Sequence, residues 1–300
     1  MFIRNAWYIA AWADEVKDVP LGRKLLGENV VLFRDVHGRA AALEDRCCHR
    51  GAPLRFGAVT EQGLQCGYHG LVFDCAGSCV HIPGQDRIPG KAKVKSFPLV
   101  EKDQFLWIWM GAAKDADPSL IVDYPYHNDL EHWPHKHTMY HVKAGYQLMV
   151  DNLMDLTHLA YVHKSTIGGQ SATAHVEAKT QVTPNEGGLH FVRWLLNSDP
   201  PPTYVKAVGM QGKIDRWMDF EYIAPGSIRQ WTGALNVGCG AQENRNQVGG
   251  FSLRVFRGPL VFSAITGGTQ TQHWRGGGVG RSLILLAFLF TSQTGIVASH

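Results

Sequence analysis

The densest group of potential metal ligands in this 300-residue chain lies between Cys47 and Gly70. Three of the six cysteines fall in this stretch, together with two histidines. Six cysteines are too few for a disulfide scaffold in a chain of this length, and their grouping beside histidines predicts metal binding in a reducing compartment. We therefore expect a fold in which two short loops meet at one metal site.

The spacing of these ligands distinguishes two kinds of metal site. The stretch reads Cys47-x-His49 and then, after sixteen residues, Cys66-x-x-His69. Two cysteines and two histidines can bind zinc tetrahedrally, or they can bind a [2Fe-2S] cluster of Rieske type, in which two histidines replace two thiolates on one iron. Each loop here supplies one thiolate and one imidazole, which favours the asymmetric cluster, and the zinc site stays open as the alternative.

The pattern of apolar residues predicts an α+β fold with two domains. Residues 1–112 read as short β segments with glycine-containing turns, typical of an antiparallel domain. Prolines and polar residues around residues 111–125 mark the predicted boundary. In residues 113–256, apolar side chains recur at helical spacing over residues 146–163, and strand-like segments follow. The predicted strands of this second domain are residues 189–196, 215–224, 227–237 and 251–256.

A second group of ligands lies in the predicted helix. His158 and His163 can bind mononuclear iron(II), with a carboxylate completing a 2-His-1-carboxylate triad. Five residues of regular helix separate two side chains by roughly 140°. We therefore expect an irregular turn between Leu159 and Val162 that lets the imidazoles converge. Asp155 precedes His158 by three residues and shares its helix face, so its carboxylate is expected to orient that imidazole.

Together, these motifs resemble those of the Rieske non-haem iron oxygenases. The resemblance implies an N-terminal antiparallel Rieske domain and a helix-grip-like catalytic domain with an antiparallel sheet flanked by helices. It assigns the cluster to Cys47, His49, Cys66 and His69, the iron(II) to His158 and His163, and a catalytic role to Asp155. In this family that aspartate also bridges to a cluster histidine of the neighbouring subunit, which implies a head-to-tail homotrimer.

The resemblance extends over roughly residues 1–256 and is strongest to demethylating members such as the vanillate O-demethylase oxygenase subunits. It implies removal of the methyl group of an aryl methyl ether, using O2 and electrons from a flavin/ferredoxin-type NAD(P)H reductase. Toluenesulfonate methyl hydroxylation and phenoxybenzoate oxygenation remain alternatives within the subfamily. An inactive protein that binds only the cluster, acting as a one-electron carrier, is the alternative from another class.

The end of the sequence departs from the family. No Asp or Glu occurs from Asn244 to His300, although the family takes its third iron ligand from late in the chain. Residues 257–300 are therefore expected to be an atypical tail that is out of frame or truncated. Asp219, Glu221 and Glu243 are the remaining candidates for the carboxylate ligand.

Charge and hydropathy narrow the range of partners. The formal net charge is +3, and no run of basic residues indicates nucleic acid or an anionic membrane as partner. The longest apolar run has eight residues, well short of the roughly 20 that span a bilayer. The N-terminus lacks the pattern of a secretory signal. A cytoplasmic protein with a small aromatic substrate is therefore expected.

Overall fold

The computed structural model of the chain describes residues 2–131, 139, 142–169, 172–208, 210–244 and 260–261. Contacts divide them into a first unit, up to residue 131, and a second unit, from residue 139 onward. The first unit includes the segment after residue 112, because the indole Nε1 of Trp7 donates a hydrogen bond to the carbonyl oxygen of Asp117 at 2.7 Å. The division of function between residues 1–112 and 113–256 stays a prediction.

The first unit is an assembly of short antiparallel strands, as predicted. Its strands are β1 (Trp7–Trp12), β2 (Leu21–Leu25), β3 (Glu28–Arg34), β4 (Ala40–Glu44), β5 (Ala58–Thr60), β6 (Gly63–Gln65), β7 (Val72–Phe73), β8 (Cys79–His81), β9 (Ser96–Phe97), β10 (Leu99–Lys102) and β11 (Phe105–Trp109). They form three sheets with the orders β1-β11-β10, β2-β3-β4-β9 and β5-β6-β7-β8. Short 3₁₀ turns lie at Ala13–Glu15, Leu54–Phe56, Ala113–Asp115, Pro118–Leu120 and Pro125–Asn128.

Strand β3 lies at the centre of this unit and is buried on both faces. Val30 and Leu32 pack into one apolar cluster, while Val31 and Phe33 pack into another. Burial on both faces explains why its sequence is a continuous apolar run and not an alternating one. The second cluster also contains the two cysteines of the ligand pattern, so the metal-binding loops are anchored directly in the core.

The second unit combines five short helices with one antiparallel sheet among its described residues. The helices are α1 (Tyr146–Met154), α2 (Leu159–Val162), α3 (Ala172–Val176), α4 (Pro202–Val208) and α5 (Ala241–Asn244). The strands are β12 (Lys179–Asn185), β13 (Gly188–Ser198), β14 (Ile214–Ile223), β15 (Ser227–Asn236) and β16 (Leu260–Val261), and each pairs with the next in sequence. The α+β class is confirmed.

The two faces of this sheet pack against different parts of the unit. Residues alternate along β13, so that Phe191 and Leu195 pack with Leu159 of α2. Val192 and Trp194 belong to a separate apolar cluster. The face that carries Phe191 and Leu195 is called the α2 face below, and it is the face next to the predicted iron motif.

The helix predicted over residues 146–163 is two helices, which corrects the expectation of a single one. α1 ends at Met154, and Asp155 has extended backbone with φ −105° and ψ 106°. α2 is then helical from Leu159 to Val162, so the irregularity lies before it and not within it. The physical reason is the side chain of Asp155, which accepts hydrogen bonds from the N–H and hydroxyl of Thr157 and so competes with helix continuation.

Three of the four strands predicted for the second domain are confirmed as β13, β14 and β15. The fourth, residues 251–256, lies outside the described residues, as does the tail of residues 257–300 apart from β16. No helix in the described part of the chain has the length and hydropathy that crossing a bilayer requires.

Candidate functional site

The two loops that carry the cysteine and histidine pairs share one backbone frame. In each loop the cysteine N–H donates to the carbonyl oxygen five residues later, and the cysteine carbonyl accepts from the N–H four residues later. In the first loop Cys47 donates to Ala52 at 2.8 Å and Gly51 donates to Cys47 at 2.9 Å. In the second loop Cys66 donates to Leu71 at 2.8 Å and Gly70 donates to Cys66 at 3.1 Å. The backbone of each cysteine is therefore held by hydrogen bonds through both its N–H and its carbonyl oxygen.

Glycine is required at the point where each loop turns back. Gly51 has φ 71° and Gly70 has φ 74°, a left-handed region in which other residues are strained. A Cβ atom on Gly70 would also lie 3.0 Å from Cγ of Pro83. The segment around Pro83 therefore closes over the second ligand loop, a contact that the ligand spacing did not predict.

The four predicted cluster ligands face two environments. Cys47 and Cys66 are each 2% exposed, and their thiols are hydrogen-bonding neighbours. His49 and His69 are exposed, and their ring centroids lie 4.6 Å apart. The structure thus brings the sulfur donors together in the core and the imidazole donors together at the surface, which is the asymmetry that two thiolates on one iron and two imidazoles on the other require.

The chemistry of this donor set fits an iron–sulfur cluster. Burial raises the pKa of the Cys47 thiol to about 11, and the neighbouring Cys66 contributes to this rise. A thiolate here therefore needs a metal cation to offset its charge. Among the described residues, no group of three His, Cys, Asp or Glu side chains is arranged around one ion.

An ion pair with a buried carboxylate beside the first loop was missed from the sequence. Asp45 is 4% exposed, accepts a hydrogen bond from the backbone N–H of Arg55 at 2.8 Å and forms a salt bridge with the guanidinium of the same residue. The Asp45 N–H donates to the carbonyl of Asn29 in β3. The pair links β3 to the chain on both sides of the first loop. The available signal was an aspartate two residues before Cys47.

His158 and His163 lie at the two ends of α2. His158 precedes the first residue of the helix, and His163 follows the last. Their ring centroids are 5.3 Å apart. The five-residue spacing permits this approach because α2 has only four residues and His163 leaves the helical backbone, at φ −113° and ψ 22°. The structure therefore brings the predicted pair together.

His163 has a buried nitrogen that is not hydrogen-bonded. The residue is 8% exposed, and its Nδ1 has no hydrogen-bond partner in the part of the chain that the structure describes. Burial lowers its pKa, and the adjacent His158 lowers it further, so the neutral ring keeps a lone pair available. An unsatisfied buried polar atom costs about 1–3 kcal/mol, and a metal ion bound by the two imidazoles would offset that cost. The pair fits a mononuclear metal.

The carboxylate of Asp155 is exposed and turned toward Thr157. It accepts hydrogen bonds from the N–H and the hydroxyl of Thr157 at 2.9 and 2.7 Å, and these bonds lower its pKa. The charges of His158 and Arg193 lower the pKa further. Among the described residues, no hydrogen bond from His158 to this carboxylate accompanies the bonds from Thr157.

No described carboxylate joins the histidine pair. Asp219 accepts a hydrogen bond from Nε2 of His190 at 2.6 Å, and Glu221 forms a salt bridge with Arg229. Both alternate along β14 with residues of the α2 face, so they point away from α2. The side chain of Glu243 lies outside the described residues. The third ligand is therefore not found in the part of the chain that the structure describes.

A cleft of about 430 Å³ opens on the opposite face of the same sheet. Its lining residues are Gln181, Thr183, His190, Val192, Trp194 and Gln242. The β13 residues in this lining alternate with those that pack on α2, so the cleft is not adjacent to the histidine pair.

The site has two halves: the cluster half, formed by the loops at Cys47 and Cys66, and the iron half, formed by His158, His163 and the α2 face. Comparison with known proteins agrees with both. The Rieske [2Fe-2S] domain family matches residues 6–98, and the vanillate O-demethylase oxygenase C-terminal domain family matches residues 142–256. The iron-sulfur subunit of a toluene-4-sulfonate monooxygenase system from Comamonas testosteroni is 45% identical over 82% of this chain and 71% of that protein. This chain belongs to the Rieske non-haem iron oxygenase family.

Further members resemble this Rieske oxygenase over most of its length. A vanillate O-demethylase oxygenase subunit from Pseudomonas sp. strain HR199 is 36% identical over 94% of this chain and 78% of that protein. The crystal structure of dicamba monooxygenase bound to 3,6-dichlorosalicylic acid has a TM-score of 0.74 and 35% identity, covering 81% of this chain and 71% of that one.

These matches confirm the predicted protein family, fold, enzyme class and cofactors. A related dicamba monooxygenase structure, at a TM-score of 0.66 and 33% identity over 81% of this chain and 69% of that one, contains non-heme iron. The chain is an oxygenase component, which receives electrons from a reductase and acts on an aromatic substrate with O2. The individual ligand assignments stay predictions.

Two residues of the iron half were not among the predicted site residues. Arg193 and Arg216 lie on the α2 face and are almost completely buried. The signal for them was present in the sequence, because each occupies an inward position of an alternating strand. Arg193 falls between Phe191 and Leu195, where the pattern calls for an apolar side chain.

Proposed function

We propose that this Rieske oxygenase removes the methyl group of an aryl methyl ether such as vanillate. The proposal depends on the match of residues 142–256 to the vanillate O-demethylase oxygenase C-terminal domain family, the region in which His158 and His163 come together. The vanillate relative, which covers 94% of the chain, supports the same substrate class.

In this reaction one C–H bond of the methoxy group becomes C–OH. The hemiacetal then breaks at the bond between the methyl carbon and the aryl oxygen, giving a phenol and formaldehyde. One atom of O2 enters the product and the other leaves as water, which takes two electrons and two protons from outside. The electrons come from NADH or NADPH through a flavin/ferredoxin-type reductase.

The chain provides two sets of metal ligands for this reaction. The assigned ligands are Cys47 and Cys66 for one cluster iron, His49 and His69 for the other, and His158 and His163 for the mononuclear iron. When bound, the cluster supplies single-electron transfer and the iron supplies O2 activation. The exposed imidazoles place the point of electron exchange at the protein surface, where a partner can reach it.

The residues around the histidine pair exclude water from one side. Leu156 and Leu159 pack with Phe191 and Phe220 of the α2 face, and all four are buried. Water would therefore compete less for the reacting position on this side of the histidine pair.

We assign to Asp155 the passage of electrons between subunits of a homotrimer. Its ionised, exposed carboxylate can accept a hydrogen bond from a cluster histidine of a neighbouring copy, which a head-to-tail ring would bring close. None of the six cysteines is paired in a disulfide, as expected of a protein from a reducing, cytoplasmic location.

Two other functions have specific support. Hydroxylation of an aryl methyl group is supported by the 45% identity to the toluene-4-sulfonate relative. A protein that binds only the cluster is supported by the absence of a third carboxylate near His158 and His163 among the described residues.

Iron content and product analysis separate these functions. The full-length chain, purified anaerobically and supplied with iron(II) and a matched reductase, is expected to hold three irons and two sulfides. It should release formaldehyde from vanillate in proportion to NADH consumed. Two irons, two sulfides and no product would establish the cluster-only protein. Release of a benzylic alcohol from toluene-4-sulfonate without formaldehyde from vanillate would establish methyl hydroxylation.

A further inference from the structure

Two arginines of the central sheet are buried side by side on the α2 face. Arg193 in β13 is 7% exposed, and Arg216 in β14 is 3% exposed. Arg193 is paired across the strands with Met218, and Arg216 lies two residues before Met218 on the same face. The two cations are therefore diagonal neighbours, a spacing within reach of long side chains.

The groups that contact these guanidinium groups are neutral. Arg193 donates from Nη2 to the carbonyl oxygen of His175, and Arg216 donates from Nη1 to the carbonyl oxygen of Gly168 at 3.4 Å. The ring of Tyr204 lies 5.2 Å from the guanidinium carbon of Arg216. Nε of each arginine is buried, and no described residue forms a hydrogen bond with it. Part of the donor capacity of both side chains is thus unused.

No described carboxylate of the chain neutralises the pair. The chain has 26 acidic residues, and all except Glu243 have side chains in the described part. None of those 25 forms a salt bridge with Arg193 or Arg216. Burial lowers the pKa of Arg193, the charge of Asp155 raises it, and the charge of Arg216 lowers it. The guanidinium nevertheless stays protonated, as arginine does in proteins.

Asp155 is exposed and only partly offsets the charge of the two buried cations, so an anion other than the described carboxylates is expected beside them. We propose that Arg193 and Arg216 form a subsite for the acidic group of an aromatic acid. The inference rests on the proposed function and narrows its substrate class to aryl carboxylates and sulfonates. The planar guanidinium fork suits such oxyanions because it can donate two parallel hydrogen bonds.

The position of the subsite agrees with a role in the same reaction. The N–H of Gly168 donates to the carbonyl oxygen of His163 at 2.9 Å, and the carbonyl of Gly168 accepts from Arg216. One residue therefore connects the arginine pair to the iron-binding histidine. Phe191 and Phe220 share the α2 face with the arginines, so the surroundings of the pair are apolar.

Calorimetric titration of the full-length holoprotein tests the proposal with two probes of the same shape. One is 4-methoxybenzoate, which is an anion, and the other is the uncharged 4-methoxybenzamide. The wild-type protein is expected to bind the acid at least tenfold more tightly, and Arg216→Met and Arg193→Met should each weaken acid binding by about 10- to 100-fold while leaving the amide unchanged. Arg216→Lys should fall between, because it keeps the charge and loses the fork.

Arg229→Met is the matched control, since Arg229 lies in the same sheet on the opposite face and pairs with Glu221. It should not alter the preference for the acid. Equal binding of acid and amide by the wild type would overturn the subsite, even if the methionine variants did not fold. A lower melting temperature with an unchanged preference would assign the arginines a purely structural role. Weaker self-association with an unchanged preference would assign the missing anion to a second copy, and either result overturns the proposal.

Formaldehyde measurements separate this proposal from the proposed function. Release from both probes without any preference for the acid would overturn the subsite and leave demethylation standing. Selective binding of the acid without formaldehyde would overturn demethylation and leave the subsite standing.

Discussion

The cluster half and the iron half of this Rieske oxygenase differ in how far their own residues complete the site. The loops at Cys47 and Cys66 are closed by reciprocal backbone hydrogen bonds, and all four predicted ligands come from those two loops. In the iron half, nitrogen atoms of His163, His175, Arg193 and Arg216 are buried without hydrogen-bond partners among the described residues. The described residues therefore supply the whole predicted ligand set of the first site, whereas the second has donors that they do not satisfy.

This difference indicates what each half does during turnover. A rigid, complete site suits electron transfer, because its ligands need not move when an electron arrives. A site with unused donors suits substrate binding, because a ligand that satisfies them gains affinity. Variants in each half should therefore fail in different ways, and the comparison can be tested one half at a time.

The largest effect is expected for Cys66→Ser in the cluster half. Loss of one buried thiolate should abolish the cluster, since two sulfur donors share one iron. The visible absorption of the purified protein and its paramagnetic signal after reduction measure this directly. Cys48→Ser is the matched control, because Cys48 is exposed beside the first ligand and should retain the cluster. Equal retention in both variants would remove Cys66 from the ligand set.

Next in size is His163→Ala in the iron half. It should reduce iron content from three to two per chain, keep the cluster absorption and lower formaldehyde release by more than about 100-fold. His190→Gln is the control, a histidine of the same unit whose ring pairs with Asp219 on the opposite face of the sheet. Loss of cluster absorption in His163→Ala would show that the two halves are not independent.

A smaller effect is expected for Asp155→Asn, which tests the connection between the halves. The amide oxygen can still accept from Thr157, so the fold and both metal contents should be retained. Oxidation of the reduced cluster by O2 in the presence of substrate should slow by about 10- to 100-fold. Asp151→Asn, at an exposed position of α1, should oxidise normally. A normal rate in Asp155→Asn would exclude this carboxylate from the electron path.

The sequence predicted more of the cluster half because its information is local. Each loop holds a complete Cys and His pair, so the spacing and the family resemblance predicted Cys47, His49, Cys66 and His69 as ligands, and the structure brings them together in pairs. The support from Asp45 and Arg55 was not predicted, because ten residues separate the partners and no periodic pattern joins them.

The iron half was predicted less completely for two physical reasons. Helical periodicity continued through Asp155, but the side-chain hydrogen bonds to Thr157 end the helix there, and periodicity does not register such local competition. The arginine pair depends on strand register, which places Arg193 opposite Met218. Register is set by pairing between strands, so it could not be read from either strand by itself.

The smallest effect is expected for alanine substitution of one glycine in each half. Gly70 and Gly169 have similar left-handed backbones, with φ 74° and φ 82°. A Cβ on Gly70 would lie 3.0 Å from Pro83, whereas a Cβ on Gly169 would lie no closer than 3.6 Å to its neighbours. Alanine at either position should cost about 1–2 kcal/mol for the backbone alone, and Gly70→Ala should cost more because Pro83 must also move.

Urea unfolding of the two variants measures this difference in the free energy of unfolding. Gly90→Ala is the baseline, since a Cβ there meets nothing within 4 Å and the φ of Gly90 lies outside the left-handed region. If the cluster loops are closed before the metal binds, Gly70→Ala should lose stability to the same extent with and without the cluster. A loss seen only in the cluster-bound protein would mean that the cluster organises its own loops, and the contrast between a complete and an incomplete site would then disappear.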